Sequence, residues 1–257
     1  MTIKSSIKRL AHRFGYDIRR LDEISNLRSA IAESYLLIHS LGFRPVTIVD
    51  VGVASGTPEL YAAFPESYFL LIEPLKEFEP DLIAILKQYR GSYVLAGAGP
   101  ASREATLNVH PKHLAGSSLF RETMGPEADG YESTVPIIKI DDIVSEKGLG
   151  GPFLIKVDVQ GAELDVLEGC REALRYTEVV VLEVSMFHLM KGAPEFHEVI
   201  VYMKERGFVA YDIILGWNRP LDNALAQIDL VFVKEYGQFR HNHSTATIEH
   251  MKRIGYL

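Results

Sequence analysis

Two apolar runs that each end at a carboxylate constrain this chain more than anything else in it. The first, Thr47-Ile48-Val49-Asp50-Val51, runs into Gly52-Val53-Ala54-Ser55-Gly56-Thr57-Pro58. The second, Tyr68-Phe69-Leu70-Leu71-Ile72, ends in Glu73-Pro74. Runs that are apolar on both faces fit strands buried inside a parallel sheet. Gly52 and Gly56 permit a tight turn into a helix, with Thr57 as cap and Pro58 at the first helical position. Backbone bared by glycine can approach a ligand closely, and a lone carboxylate at the next strand tip matches the two vicinal hydroxyls of a ribose. The pair therefore predicts an α/β sheet that holds a nucleoside-bearing cofactor.

Bulk properties narrow the class. At 257 residues the chain can build one full α/β core with an appendage. A net charge of -7 argues against a general nucleic-acid binder, which needs basic surface to release counterions. One cysteine, Cys170, excludes an intrachain disulfide framework and fits a reducing compartment. No apolar run approaches the ~20 residues that span a bilayer, and the basic N-terminus lacks the apolar core of a secretion signal. The expectation is a cytoplasmic enzyme.

Periodicity divides the chain into a helical appendage at 1–45, an α/β domain at 46–235 and a polar tail at 236–257. Ile3, Ile7, Leu10, Phe14 and Ile18 recur at helical spacing among Lys and Arg residues. Such a stripe can dock on an anionic membrane surface, on a partner or second copy of the chain, or across its own domain. Strand patterns at 46–51, 68–73, 92–96, 153–158 and 178–184 alternate with helical ones at 58–64, 80–89, 162–176 and 194–206. That alternation predicts a mostly parallel sheet. Two further strands, at 209–215 and 228–233, are joined only by a loop, so the last pair is antiparallel. Between 98 and 141 the pattern breaks into strands at 106–110 and 134–140 around a loop rich in Gly, Ser, Pro and His. Long loops of this kind tend to be lids or substrate walls. His241, His243 and His250 in the tail read as a solvated cluster.

The glycine turn also speaks to the kind of cofactor. A dinucleotide fingerprint needs Gly-x-Gly-x-x-Gly, whereas here Ala54 stands at the middle glycine and the turn is one residue short. A pyrophosphate is disfavoured. S-adenosylmethionine carries no phosphate, and Asp50 suits its cationic amine, directly or through water. Downstream, Lys156 and Asp158 interrupt the apolar strand 153–158, which is costly unless they are paired or at the strand tip. Asp158 is expected to point into the cleft beside the cofactor's sulfonium.

Together these stretches resemble the FkbM-type family of S-adenosylmethionine-dependent methyltransferases. The resemblance rests on Asp50-Val51-Gly52-Val53-Ala54-Ser55-Gly56, Glu73-Pro74, Gly116-Ser117-Ser118-Leu119 and Lys156-Val157-Asp158-Val159-Gln160-Gly161-Ala162-Glu163. Ala54 stands where the family commonly has Asn, and Gln160 where it has Glu. The resemblance implies a Rossmann-like methyltransferase fold and O-methylation, commonly of a sugar hydroxyl in a glycan, glycolipid or glycosylated natural product. It also places Ser117 or Ser118 in the cofactor pocket, beside Asp50, Gly52, Ser55, Gly56, Glu73 and Asp158.

Methyl transfer to oxygen requires alignment of acceptor, methyl and sulfur, and removal of the hydroxyl proton. Asp158, Glu183 and His188 are the candidates for that proton. His188 has the most suitable ordinary pKa, although a surface histidine reads equally well. Glu183 is expected beside Asp158, where two carboxylates would share a proton or bind a cation; a divalent metal held by Asp158, Glu183 and His188 stays open. Trp217 can stack on a sugar ring or pack the hairpin loop. A nicotinamide-dependent oxidoreductase and a non-catalytic binding module are the competing readings.

Overall fold

The computed structural model describes Arg28 and residues 30–257, so the basic stripe from Ile3 to Ile18 lies outside the described residues. In chain order, helix α1 (Ile31–Ser40) leads to β1 (Thr47–Val51), α2 (Pro58–Ala63), β2 (Tyr68–Glu73), α3 (Glu79–Leu86) and β3 (Gly91–Leu95). Three strands follow, β4 (Gly97–Ala98), β5 (Arg103–Val109) and β6 (Tyr131–Ile138). Helix α4 (Ile140–Glu146) returns the chain to β7 (Phe153–Val157), α5 (Glu163–Glu168), α6 (Arg171–Arg175) and β8 (Thr177–Ser185). Helix α7 (Phe196–Glu205), β9 (Phe208–Leu215), β10 (Gln227–Lys234) and α8 (Ile248–Arg253) complete it.

Seven strands form one sheet in the order β3-β2-β1-β7-β8-β10-β9. All neighbours are parallel except the two pairs made by β10, which lies antiparallel between β8 and β9. The predicted α/β sheet with a final antiparallel hairpin is present, and its last strand sits inside the sheet rather than at the edge. Residue pattern explains the placement. Ile228, Leu230, Val231, Phe232 and Val233 of β10 are buried on both faces, while β9 exposes Ile213.

Alternate side chains feed two cores. Ile48, Phe69, Leu71, Leu154, Val179 and Val181 meet Tyr35, Ile38, Leu60 and Leu82 of helices α1 to α3. Val49, Leu70, Ile72, Ile155, Val180 and Leu182 meet Ile140, Val166, Leu174, Val199 and Met203 of α4 to α7. From β1 the chain winds outward through β2 and β3, then returns to β7 on the other side of β1. Where strand order reverses, the carboxyl ends of an open sheet leave a crevice, and ligands bind there. Strands β4, β5 and β6 form a separate small sheet with its own core of Leu75, Leu107, Val109, Val135 and Ile137.

The helix expected over 162–176 is two helices. A Cβ on Gly169 would lie 2.1 Å from the Gly99 carbonyl oxygen, so the backbones touch where the helix breaks. The Asp141 carboxylate then accepts from the N–H groups of Glu172 and Ala173 and restarts the helix as α6. The strand expected to reach residue 140 stops at Ile138, and Ile140 opens α4. In the tail, the Thr247 hydroxyl accepts from His250 N–H and starts α8, which composition did not signal. Among the described residues no helix is long and apolar enough to cross a membrane.

Candidate functional site

A cavity of about 1100 Å³ opens over the carboxyl ends of the central strands. One wall is the turn after β1 together with the end of β2. Gly52 has φ +75°, and a Cβ there would lie 1.8 Å from the Asp158 carbonyl oxygen, so only glycine lets the β1 and β7 ends abut. Ala54 and Gln160 also adopt left-handed φ, +46° and +56°, which costs a side-chain-bearing residue energy. Glu73, 4% exposed, is fixed at the wall: its Oε2 accepts from Ala54 N–H at 2.8 Å and its Oε1 from Leu75 N–H at 2.9 Å. Burial raises its pKa, opposed by those two N–H groups. Each oxygen keeps a second lone pair, and the side chain lines the cavity.

The opposite wall is acidic. Lys156 Nζ sits 3.4 Å from both Asp50 Oδ1 and Asp158 Oδ2. Burial alone would lower the Lys156 pKa, but the two carboxylates outweigh it and raise it. Gln160 donates through Nε2 to Asp158 Oδ1 at 3.2 Å and to Glu183 Oε2 at 2.8 Å, and Gln227 Nε2 donates to the same Glu183 oxygen at 3.0 Å. The expected neighbourhood of Asp158 and Glu183 is present, with an amide between them. Burial, then the charges of Asp158, Asp229 and Glu163, pushes Glu183 up to about 8. Burial and Asp158 push Asp229 to about 6. Burial takes Glu163 to about 7, against the Gly161 N–H that its Oε1 accepts.

Of the residues read from sequence, Gly52, Ser55, Gly56, Glu73, Ser117, Asp158 and Glu183 line this cavity. Three do not. Asp50 is fully buried and spent on the protein: Tyr61 donates to its Oδ2 at 2.7 Å, Thr57 at 3.3 Å, and Lys156 pairs with Oδ1. The pairing follows from register, because Asp50 and Lys156 are partners across β1 and β7. Thr57, in turn, makes no side-chain cap to α2. Ser118 is buried, donating to the Gln160 carbonyl at 2.6 Å and accepting from Phe120 N–H. It holds the left-handed Gln160 in place. His188 is 58% exposed outside the cavity, its Nδ1 3.0 Å from the Ala193 carbonyl and its Nε2 3.5 Å from Glu195. The group Asp158, Glu183 and His188 is therefore not assembled, and among the described residues no three His, Cys, Asp or Glu side chains are arranged to hold a metal ion.

Asp229, Gln227, Tyr35 and Glu122 line the cavity without having been singled out. Asp229 carried a usable signal: a lone charge inside the apolar strand Gln227–Lys234, the signature that marks Lys156 and Glu183. Tyr35 comes from α1, where no local pattern betrays a cavity wall, whereas His110 follows β5 at the start of the long loop whose composition reads as a lid or substrate wall. Trp217 lines the cavity at 45% exposure, and its Nε1 donates to Gln227.

The Methyltransferase FkbM domain family matches residues 50–210. The AMB antimetabolite synthetase AmbE of Pseudomonas aeruginosa is 28% identical over 175 residues, covering 53% of this chain and 8% of that protein. The hexuronic acid methyltransferase AglP of Haloferax volcanii is 25% identical over 135 residues, 52% of this chain and 54% of that one. The chain thus spans about half or less of these relatives' length. A solved structure of magnesium protoporphyrin IX methyltransferase from Synechocystis, with bound S-adenosylmethionine, aligns over 91% of this chain and 98% of that one at 8% identity and a TM-score of 0.43. With that domain matched over more than half of this chain, the chain belongs to the FkbM methyltransferase family.

Proposed function

We propose that this chain methylates a hydroxyl of a sugar-bearing acceptor: a glycan, glycolipid or glycosylated natural product. The observation that carries the reading is Glu73, a buried carboxylate lining the cavity and pinned by the Ala54 N–H of the glycine turn and by the Leu75 N–H just beyond its own strand. Its two oxygens fit the vicinal hydroxyls of an adenosine ribose, and Gly52 and Gly56 leave the adjoining backbone open to close approach. The rest of the donor set suits S-adenosylmethionine as well, because the facing wall is acidic and the bound sulfonium is a cation. When bound, that group supplies an electrophilic methyl on positively charged sulfur.

The cavity exceeds the ~300–1,000 Å³ of common ligand pockets, which leaves room for an acceptor beside the cofactor. Beyond Asp158 the lining offers Gln160, Glu183, Gln227 and Asp229, polar groups able to hydrogen-bond hydroxyls, with the half-exposed Trp217 as an aromatic face. Glu183, pushed up to about 8, carries its proton near neutrality and acts as a donor to an acceptor oxygen. Asp158, tied to Lys156 and Gln160, is a fixed negative charge beside the reacting centre. Ala54 at φ +46°, where a dinucleotide turn would carry glycine, weighs against a nicotinamide cofactor.

Calorimetric titration separates the readings. S-adenosylmethionine should bind and NAD should not, and Glu73→Ala should weaken the first by ~10–100-fold, the loss of charge-assisted hydrogen bonds. Binding of neither would favour a non-catalytic module. Transfer of a labelled methyl group to an extracted glycolipid and glycan pool then tests the acceptor class. Label found only on non-carbohydrate material would end the sugar assignment.

A further inference from the structure

Asp229 is the carboxylate on the acidic wall that the protein does not itself use. It lies in β10 between the buried Ile228 and Leu230, and pairs directly with Glu183 across the antiparallel ladder. Residues opposite each other in such a ladder share a face, with Cβ atoms ~4.5–5.5 Å apart. Their surroundings differ. Glu183 Oε2 takes two amide N–H bonds, and Asp158 takes Gln160 and Lys156. Asp229 accepts no hydrogen bond and makes no ion pair among the described residues, and its side chain lines the cavity.

The groups around it are Lys156 of β7, Asp158 just after that strand, Glu183 of β8 and Tyr35 of α1, with Glu163 of α5 acting on Glu183. The Tyr35 hydroxyl is buried without a partner, so it does not compete for Asp229. Two carboxyl groups on one rung in a desolvated wall do not both ionise cheaply. Glu183, pushed to about 8, keeps the proton near pH 7, and Asp229, at about 6, is the charged member. Pairs of carboxyls pushed apart by their environments divide acid and base roles between them.

We infer that Asp229 is the general base of the acceptor site, a catalytic residue outside the matched family domain, which ends at residue 210. The inference rests on the methyltransferase reading. The acceptor O–H bond breaks and its proton goes to a free Asp229 oxygen. The acceptor oxygen's electron pair forms the new C–O bond as the C–S pair departs with sulfur, now a neutral thioether. Asp229 ends as a neutral carboxyl and returns its proton to solvent through the open cavity. A free lone pair on a cavity-facing carboxylate is what that role demands, and neither Asp158 nor Glu183 offers one so readily.

Three measurements test this on the full chain. Carboxyl-carbon NMR of the protein alone, with the Asp229 resonance identified by its absence in Asp229→Asn, should give a midpoint of about 6; a midpoint below ~4.5, in the range of a solvated aspartate, would overturn the inference. Calorimetry should show Asp229→Asn binding S-adenosylmethionine within threefold of the parent. Labelled-methyl transfer to the extracted glycolipid pool should fall at least ~100-fold in Asp229→Asn and lose the rise in rate on the acid side of the pH profile. Asp229→Glu should recover part of the rate. Retention of a tenth of the rate, survival of the acid limb, or equal loss of cofactor affinity would each remove Asp229 as base. Failure of the parent chain to bind S-adenosylmethionine would instead sink the methyltransferase reading, while the NMR midpoint still decides whether Asp229 can act as a base.

Discussion

The two walls of the cavity are built on opposite principles. The wall at β1 and β2 is mostly backbone: a glycine turn and one carboxylate, Glu73, clamped by the N–H groups of Ala54 and Leu75. The wall at β7, β8 and β10 is side chain against side chain: Lys156, Asp158, Gln160, Glu183, Gln227 and Asp229. Backbone contacts set shape, and they barely respond to pH. A web of carboxyls and amides sets charge, and each change of protonation alters the others. One wall can therefore serve as a fixed seat for a constant group, while the other is tuned to the chemistry of transfer.

The largest expected effect falls on the backbone wall. In Gly52→Ala the new Cβ would sit 1.8 Å from the Asp158 carbonyl oxygen at φ +75°, so both strand ends must move. A loss of about 3–5 kcal/mol in urea denaturation is expected. Gly192→Ala is the matched control, since Gly192 has φ +82° with nothing near its Cβ position. It should cost only ~1–2 kcal/mol, that of the left-handed backbone alone. Equal losses in the two variants would mean that close approach at Gly52 is not what the wall depends on.

The acidic wall should respond to pH instead. Glu183 titrates at 4.5 in its ordinary state and at about 8 in the fold, so the folded chain binds its proton more tightly than the unfolded one. The stability this contributes is complete below pH 4.5 and is lost as pH rises through 8. Over that window the loss is on the order of a few kcal/mol. Glu163, at about 7, and Asp229, at about 6, slope the same way. Glu183→Gln keeps an oxygen for the Gln160 and Gln227 amides but cannot ionise. Its denaturation midpoint should fall less between pH 5 and 8 than the parent's, and parallel curves would show that the wall does not store the charge assigned to it.

The same contrast explains what the sequence reveals. The first wall is legible because its parts are contiguous: an apolar run, glycines at 52 and 56, then Glu73 at the next strand end. Turn chemistry of that kind is local and needs no tertiary knowledge. The mostly parallel sheet and its final antiparallel hairpin follow from alternation and loop length in the same way, whereas the place of β10 inside the sheet does not. The second wall draws single residues from strands that are distant in sequence. Lys156, Glu183 and Asp229 each announce themselves as charges in apolar strands, but only register shows which meet. Asp50 demonstrates the limit. Its place before the glycine turn suggests a ligand contact, yet register sets it beside Lys156, and the ion pair consumes it. His188 fails for a related reason, because the loop after β8 turns its ring toward Ala193 and Glu195.

The smallest effect tests whether the two walls are mechanically separate. Ser118 touches only the second, through its hydrogen bond to the carbonyl of Gln160, whose φ of +56° needs an outside restraint. Ser118→Ala removes that bond and the acceptor for Phe120 N–H, at a cost of ~1–2 kcal/mol. Because the Gln160 amide joins Asp158 to Glu183, loosening it should spread the carboxyl titrations of this wall. Glu73 and its two backbone donors should stay where they are, so S-adenosylmethionine affinity should change by less than threefold. A larger loss would mean that the strain at Gln160 is transmitted to the glycine turn through the Gly52–Asp158 contact, and that the cavity is one mechanical unit with two kinds of surface.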